Sequence, residues 1–380
     1  MKISYSTLFD PFHFPSAEIS IKNRIVMSPM THMSSNADGS VSEQEIQYYK
    51  RRSNGAAMVI TAATYVTQQG GMLGAPGADS DALIPGLRRL ASSIQENGAK
   101  AVLQIFHAGR QGSKTGDFVS AGDIPEDRDG APVPRSLTEQ EIEGIIQAYA
   151  EAARRAVAAG FDGVEIHGGN GNLLHQFFSP FTNRRTDRYG GTLENRMTLA
   201  LAIIREVLRT VREVAAGKPF LVGYRLSPEE AGTPGITMAD TLPFVDALSG
   251  SGIDYIHVSL TSFRSVPRRG IQDSRSRLAI IQERVGSRIP VIGVGSIHTP
   301  DDALEALASG IPLIALGREL IMEPDWVQLV LDGHEEQIRT SISPLELEEL
   351  SIPEPLWNLM TSIPGWFPLR NDQQMFDAKG

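Results

Sequence analysis

The stretch GFDGVEIHGGNGNLLHQFFSPFTNRRTDRYGG, residues 160–191, decides how the chain is read. A short apolar run around Val164 and Ile166 stops in glycines and opens into a long polar loop. The run is far below the ~20 residues of a membrane span and follows Gly160, so it reads as a buried parallel strand entered from a helix. Its carboxyl end carries His167 and Asn170. Each can donate a hydrogen bond while neutral, and Gly168, Gly169 and Gly171 let a flat ligand approach the backbone between them. Two neutral donors at a strand end suit an oxygen that gains charge during a reaction. The competing reading makes His167 a core histidine satisfied by a carbonyl, with the glycines only turning the chain. The fragment GGNGNL does not fit G-x-G-x-x-G and is no dinucleotide fingerprint. Beyond it, Arg184, Arg185, Arg188 and Arg196 face Asp187 and Glu194 and read as a salt-bridged cap rather than an anion site.

Strand and helix alternate on both sides of this stretch. Before it, Arg24 to Met27, Ala57 to Thr61 and Ala101 to Phe106 read as strands, separated by a helix through Arg52 and one over Ile84 to Glu96. Ser42 with Glu45 and Thr138 with Glu141 are capping boxes, the second opening a long helix that ends at Gly160. After the strand at residues 163–167 come a helix from Thr192 to Val214, a strand from Phe220 to Leu226 and a helix from Met238 to Ser251. Then follow strand Tyr255 to Ser259, helix Ser274 to Val285 and strand Val291 to Val294. Thr299 and Pro300 cap and start another helix, and Leu313 to Leu316 is the eighth strand. Residues 1–22, broken by Pro11 and Pro15, suggest a small hairpin that plugs one end. Residues 110–137, rich in Gly, Asp and Pro, suggest a long loop after the third strand, of the kind that covers a site.

Eight strand and helix pairs predict an α/β fold, a (β/α)8 TIM barrel with an N-terminal hairpin plug, the long loop and a C-terminal tail. No linker divides the chain, so one domain is expected over 1–380, with a barrel core of about 24–331 and a tail of 332–380. The tail, with Trp357, Trp366 and Phe367 among prolines, is too apolar to hang free. It is expected to pack under the barrel or onto a neighbouring subunit of a homo-oligomer.

In a barrel the site lies where strands end. Those positions are Ser28, Pro29, Met30 and Thr31; Ala62; Gln104; His167 with Asn170; Arg225; Gly295 with Ser296; and Gly317 with Arg318. The turns GVGSIHTPDD and ALGREL put glycine amides and Arg318 where barrels bind phosphate. Alternatively, the glycines only form tight turns and Arg318 pairs with Glu319. Arg225 lies in an apolar strand, where an unpaired guanidinium is costly, so it needs an anionic or carbonyl-rich partner. Glu165 is one candidate. A flavin's pyrimidine edge is another, which Gln104 would share.

Composition narrows the classes. With 380 residues and 41% hydrophobic content the chain can bury a full core. A net charge of −10 disfavours nucleic acid or an anionic membrane as partner. The absence of cysteine removes disulfides, iron–sulfur clusters and thiol nucleophiles. The 8 histidines show no ligand spacing, so no metal is expected. No run reaches a membrane span and the start carries no cleavage pattern, so a cytoplasmic protein is expected.

The residues also resemble a known family, the Old Yellow Enzymes, over most of the chain. The matching motifs are LFDPF near the start, KNRIVMSPMT at 22–31, QIFHAGR at 104–110, HGGNGNLLHQFFSPFTNRRTDRYGGTLENR at 167–196, VGSI at 294–297 and LGRELIMEPDW at 316–326. The resemblance implies an FMN-dependent NAD(P)H oxidoreductase, with NADPH or NADH as electron donor. Hydride would pass from flavin N5 to a small electrophile such as an α,β-unsaturated carbonyl. It places Ser28, Pro29, Met30 and Ala62 beside the ring and Thr31 at flavin O4. It puts Gln104 and Arg225 at the pyrimidine, and Gly295, Ser296, Gly317 and Arg318 at the phosphate. His167 and Asn170 would hold the carbonyl oxygen of the substrate, and His167 would also border the cofactor.

Two departures qualify what the resemblance implies. Asn172 stands where the family usually has a tyrosine that protonates the alkene, and an amide is far too weak an acid to replace it. Water or Tyr65 would then supply the proton, or the acceptor would be a quinone or nitro compound that needs none at carbon. Met33 stands where many bacterial relatives have a pocket tyrosine, which shifts the pocket toward apolar groups. Asn172 and Met33 are therefore expected at the substrate. Arg264, Arg268, Arg269, Arg275 and Arg277 read as a solvated basic loop, with an NADPH phosphate as the alternative. The rival readings are a phosphate-binding aldolase or isomerase barrel, which would want a lysine or carboxylate at a strand end, and a non-catalytic flavin-binding protein.

Overall fold

A computed structural model describes residues 2–370; the ends of the expected domain, residue 1 and residues 371–380 of the tail, lie outside the described residues. Eight parallel strands form the barrel: β1 (Ile25–Met27), β2 (Met58–Ile60), β3 (Lys100–Phe106), β4 (Gly163–Gly168), β5 (Leu221–Leu226), β6 (Tyr255–Ser259), β7 (Val291–Val294) and β8 (Leu313–Leu316). Each is hydrogen-bonded to the next, and β8 closes on β1 with Leu316 opposite Met27. The predicted (β/α)8 barrel is therefore the fold. Around it lie α1 (Glu43–Arg52), α2 (Ile84–Gln95), α3 (Glu139–Ala159), α4 (Leu193–Val214), α5 (Met238–Ser249), α6 (Arg277–Val285), α7 (Pro300–Ala308) and α8 (Trp326–Asp332). No helix among the described residues is long and apolar enough to cross a membrane.

Local chemistry sets the helix starts. Thr138 and Glu141 form the full capping box of α3, and Thr299 forms one with Asp302 at the start of α7. The box expected on α1 is only half made. Ser42 accepts from Glu45 N, but the Glu45 carboxylate turns inward to accept from Ser35 Oγ at 2.8 Å and to lie 3.2 Å from His32 Nε2. Helix α6 begins at Arg277, not at Ser274, because Ser276 is the residue whose side chain caps it.

The N-terminal strands Phe12–Phe14 and Ile19–Ile21 form an antiparallel hairpin. Phe14, Ile19 and Ile21 pack with Val26, Met58, Val102, Leu221, Tyr255, Ile292 and Leu313, side chains that fill the barrel's interior at its amino-terminal end. This is the expected plug. Burying one such side chain contributes roughly 1.5–3 kcal/mol.

The insertion at 110–137 differs from the expected cover. It folds back through a parallel pairing of Val119–Ser120 with Arg135–Ser136 and packs beside the short helix Leu173–Phe178, where Ser120 Oγ donates to Gln176 Oε1 at 2.9 Å. Gln111 alone of this stretch reaches the cavity described below. The tail also differs from expectation. Through α9 (Glu354–Ser362) and the Ile342–Leu369 bridge it folds onto the chain's own barrel mouth rather than beneath the barrel.

Candidate active site at the barrel mouth

One cavity of about 710 Å³ opens at the carboxyl ends of the strands. Its lining includes every site position singled out in the sequence: Ser28, Pro29, Met30, Thr31, Met33, Ala62, Gln104, His167, Asn170, Asn172, Arg225, Gly295, Ser296, Gly317 and Arg318. Their convergence follows from the barrel, since each sits on the last residues of a strand or the turn leaving it. Tyr65 is not among them. It is fully buried in the adjacent loop, where its hydroxyl donates to Asp38 O and accepts from Lys114 Nζ at 3.0 Å. The packing is tight: a Cβ on Gly39 would lie 1.9 Å from the Tyr65 oxygen. This corrects the reading of Tyr65 as a proton donor, and no tyrosine among the described residues lines the cavity.

The floor of the cavity is polar. Arg225 Nη1 donates to Pro29 O at 3.3 Å and Nη2 to Ser259 Oγ at 3.2 Å. No carboxylate among the described residues forms an ion pair with Arg225; Glu165 instead accepts from Gln104 Nε2 at 2.7 Å and pairs with His257 Nδ1 at 3.0 Å. Burial raises the Glu165 pKa, but His257, Arg225 and Gln104 outweigh it, so the carboxyl sits below its ordinary value and is ionised. Burial lowers the pKa of His257, so it stays neutral and donates from Nδ1. Glu165 and His257 do not line the cavity but stand opposite Gln104 and Arg225, which do, and sequence reasoning passed over His257. The signal was present, since His257 in YIHVS and Glu165 in GVEIH are polar residues in apolar strands, as Gln104 and Arg225 are.

His167 is 5% exposed. Its pKa is pushed well below 6.5 by burial and then by the nearby Arg225 charge, so it is neutral at ordinary pH. Its Nδ1 is buried without a hydrogen-bond partner among the described residues. Asn170 is held at φ 54° by Ser227, whose Oγ accepts from Asn170 N at 2.9 Å. Among the described residues six non-glycine residues adopt positive φ, and three of them, Met33, Asn170 and Ser296, line this cavity. Backbone strain of roughly 1–3 kcal/mol each is thus concentrated at the site. Asn172 is buried as the N-cap of Leu173–Phe178, with Nδ2 3.4 Å from Gly169 O.

The opposite end carries Arg318. Arg318 does not pair with Glu319, which bonds His298 at 2.9 Å; its Nη2 donates to Ser296 Oγ and its Nη1 to Trp366 O, both at 2.9 Å. Leu359, Ile363 and Trp366 of the tail close this end, a contribution that sequence reasoning missed because apolar content says that a segment is covered and not where. The arginines around 264–277 are engaged elsewhere. Arg264 pairs with Asp302 and Glu305, Arg275 with Asp273 and Glu283, and Arg277 with Glu229, while none of the five lines the cavity. The loop cap at 184–196 is also paired, Arg185 with Asp187, Arg188 with Glu139 and Glu143, and Arg196 with Asp240.

The structure is thus a closed (β/α)8 barrel with one cavity at its strand ends, lined by Arg318 at one end and by His167 and Asn170 at the other. The chain belongs to the NADH:flavin oxidoreductase / NADH oxidase family, whose model matches residues 7–337. It is 48% identical over 376 residues, 98% of this chain and 100% of the relative, to a probable NADH-dependent flavin oxidoreductase, YqiG, of Bacillus subtilis. It is 38% identical over 93% of its length to the NADH:acrylate oxidoreductase of Vibrio harveyi, but spans only 36% of that longer protein. Among solved structures it resembles the old yellow enzyme homologue from Zymomonas mobilis, with a TM-score of 0.74, 28% identity and coverage of 86% of this chain and 93% of the other.

The protein is thus an Old Yellow Enzyme-type oxidoreductase that uses FMN with NAD(P)H as electron donor. The site fits that group. Ser28 Oγ and Arg225 Nε are buried without partners among the described residues, and Arg318 has no carboxylate. Of the lysine or carboxylate that an aldolase or isomerase reading would want, no lysine among the described residues lines the cavity, and its one carboxylate, Glu319, is bonded to His298.

Burial of the histidines also fixes an acid response. His107, beside the site, has its pKa pushed down to about 3 by burial. Below the usual 6.5 the unfolded chain takes up a proton that the folded chain refuses, so stability is lost as pH falls from about 6.5 toward about 3, by ~1.4 kcal/mol per pH unit for such a histidine. Thermal unfolding midpoints should therefore drop steadily below pH 6. His107→Asn, whose Oδ1 can accept the Gly109 N–H now bonded to Nδ1, should flatten that slope by about one proton. An unchanged slope would remove His107 from the account.

Proposed function

We propose that the enzyme passes hydride to a neutral electrophile of the α,β-unsaturated carbonyl type, held by His167 and Asn170. When bound, FMN supplies a hydride carrier that NAD(P)H reduces and the acceptor reoxidises. In this reading Arg318, with the backbone of Gly295, Ser296 and Gly317, holds the cofactor phosphate. Gln104 and Arg225 meet the pyrimidine edge, and Ser28, Pro29, Met30 and Ala62 flank the ring. The Thr31 hydroxyl bonds flavin O4 and tunes its potential. Neutral His167 and the Asn170 amide donate to the acceptor's carbonyl oxygen as it gains charge. Ser227 Oγ, 3.5 Å from Asn170 Oδ1, favours the orientation in which the Asn170 NH2 group is free to donate. The observation that carries the reading is the uncharged His167 beside Asn170 on a wall of the same cavity that Arg318 ends.

The acceptor end supports a neutral molecule. Met33, Met72, Ala75, Pro76 and Phe106 form much of it, and the arginines that line the cavity among the described residues, Arg225 and Arg318, are committed to the cofactor in this reading. A carboxylate such as acrylate finds no counter-ion there. A second reading, a quinone or nitro reductase with weak ene-reductase activity, is favoured by the lack of any tyrosine in the cavity and by the buried amide of Asn172. The tail leaves Leu345, Ile363 and Leu369 exposed, which supports a homo-oligomer.

The test is anaerobic. Reduce the FMN-loaded protein with NADPH or NADH, add cyclohexenone, a benzoquinone or acrylate, and follow flavin absorbance. Cyclohexenone is expected to reoxidise the flavin at least ~10-fold faster than acrylate, matching the ~1.4 kcal/mol or more that an unpaired, desolvated carboxylate costs. Reoxidation by the quinone but not by the enone would move the assignment to the second reading. Failure of every acceptor would leave a flavin-binding protein without turnover.

A further inference from the structure

Beneath the cavity, the barrel's interior changes character. The lower layers are filled by Val26, Met58, Val102, Leu221, Tyr255 and Ile292 around the hairpin plug and are apolar apart from the Tyr255 hydroxyl, which lies beside Glu165. Directly above them lie Gln104, Glu165 and His257, each 2% exposed or less. Gln104 stands opposite Glu165 in the pairing of β3 with β4, and His257 stands opposite Arg225 in that of β5 with β6. A buried carboxylate is costly unless it is bonded, and replacing such a group by apolar side chains is often neutral or stabilising. The apolar layers below show that these strands accept such a solution. An ionised group kept at this depth therefore points to a role beyond packing.

We infer that Glu165, held by His257, is a positioning residue for the cofactor: it fixes the orientation of Gln104 and offsets the charge of Arg225 under the pyrimidine edge. The inference rests on the placement of Gln104 and Arg225 against the flavin proposed above. Because Gln104 Nε2 donates to Glu165 Oε1 at 2.7 Å, the amide cannot flip without losing that bond, and its oxygen remains as an acceptor for an N–H donor of the ligand. His257 Nδ1 donates to the other carboxylate oxygen at 3.0 Å, so Glu165 cannot swing away. The negative carboxylate also offsets the Arg225 guanidinium in a site with little solvent screening. Arg225 alone would favour the charge that accumulates at the pyrimidine edge on reduction, and Glu165 opposes it. The pair thus holds the reduction potential below the value that Arg225 alone would set.

The test compares the FMN-loaded protein with Glu165→Gln and His257→Asn by redox titration of the flavin absorbance. Glu165→Gln removes the charge and keeps the shape, and its potential should rise by about 30 mV or more, a tenfold shift of a two-electron equilibrium. His257→Asn keeps the carboxylate and an amide donor and should shift the potential far less. A Glu165→Gln potential equal to that of the unaltered protein, with FMN bound, overturns the inference and leaves the proposed flavin placement standing. Equal shifts in both variants would also overturn it, by showing a packing effect. Loss of FMN binding on Gln104→Ala and Arg225→Ala is the separate check on the placement. Should Glu165→Gln not fold, the unaltered protein still decides. With carbon-13 glutamate, the infrared difference between reduced and oxidised holoenzyme should contain a shifted carboxylate band, and a spectrum without one refutes the inference.

Discussion

Replacing His167 by alanine is expected to lower turnover with an enone by ~10²–10³-fold, the usual cost of removing one donor from an oxyanion site. The physical case is the state of the imidazole. Burial and the Arg225 charge keep it neutral, so it donates without adding a second cation beside the guanidinium. Neither ring nitrogen of His167 is hydrogen-bonded to a protein group among the described residues, so a bond to the acceptor is not made at the expense of another. A phenol, which offers an oxygen of similar charge, should bind the unaltered enzyme and lose most of its affinity in His167→Ala. The check is a titration of the flavin spectrum with p-hydroxybenzaldehyde or a similar phenol. An intact affinity would sink the oxyanion assignment. His167→Asn, which restores a neutral donor, should recover part of the binding.

Asn172→Tyr is expected to act in the opposite direction, speeding reoxidation by an enone by ~10²-fold, the lower end of what a positioned general acid contributes. Asn172 lines the cavity and makes only a long contact to Gly169 O, so its replacement gives up little. It makes no side-chain cap bond to Leu173–Phe178, so the short helix does not depend on the amide. Quinone reduction needs no proton at carbon and should hardly change. Asn172→Phe supplies the same ring without the acid. If it accelerates the enone reaction equally, pocket shape and not proton delivery explains the gain.

How much of this was legible depended on whether a residue's partner lies near it in the chain. The alternation of strands and helices, the Thr138 and Glu141 cap and the Pro300 helix start are local, and all appear in the barrel as read. Polar residues in apolar strands were also readable as site candidates, which brought Gln104 and Arg225 to the floor of the cavity. What the sequence hid was choice among partners. The Ser42 and Glu45 spacing is that of a capping box, but it does not say that the carboxylate prefers a buried histidine 13 residues earlier. Tyr65 is near the site in sequence terms, yet close glycines and Lys114 hold its hydroxyl behind the wall. Gly and Pro in 110–137 announced a loop, but the contact of Ser120 with Gln176 that moors it beside the site lies 56 residues away.

The tail's hold on Arg318 has a consequence for how the enzyme is assembled. Trp366 is translated well after β8, so each nascent chain passes through a stage in which all eight strands exist while the arginine's end of the mouth stands open. The Trp366 carbonyl is therefore the last piece of this end to be synthesised, and it meets Arg318 only once the tail has folded back.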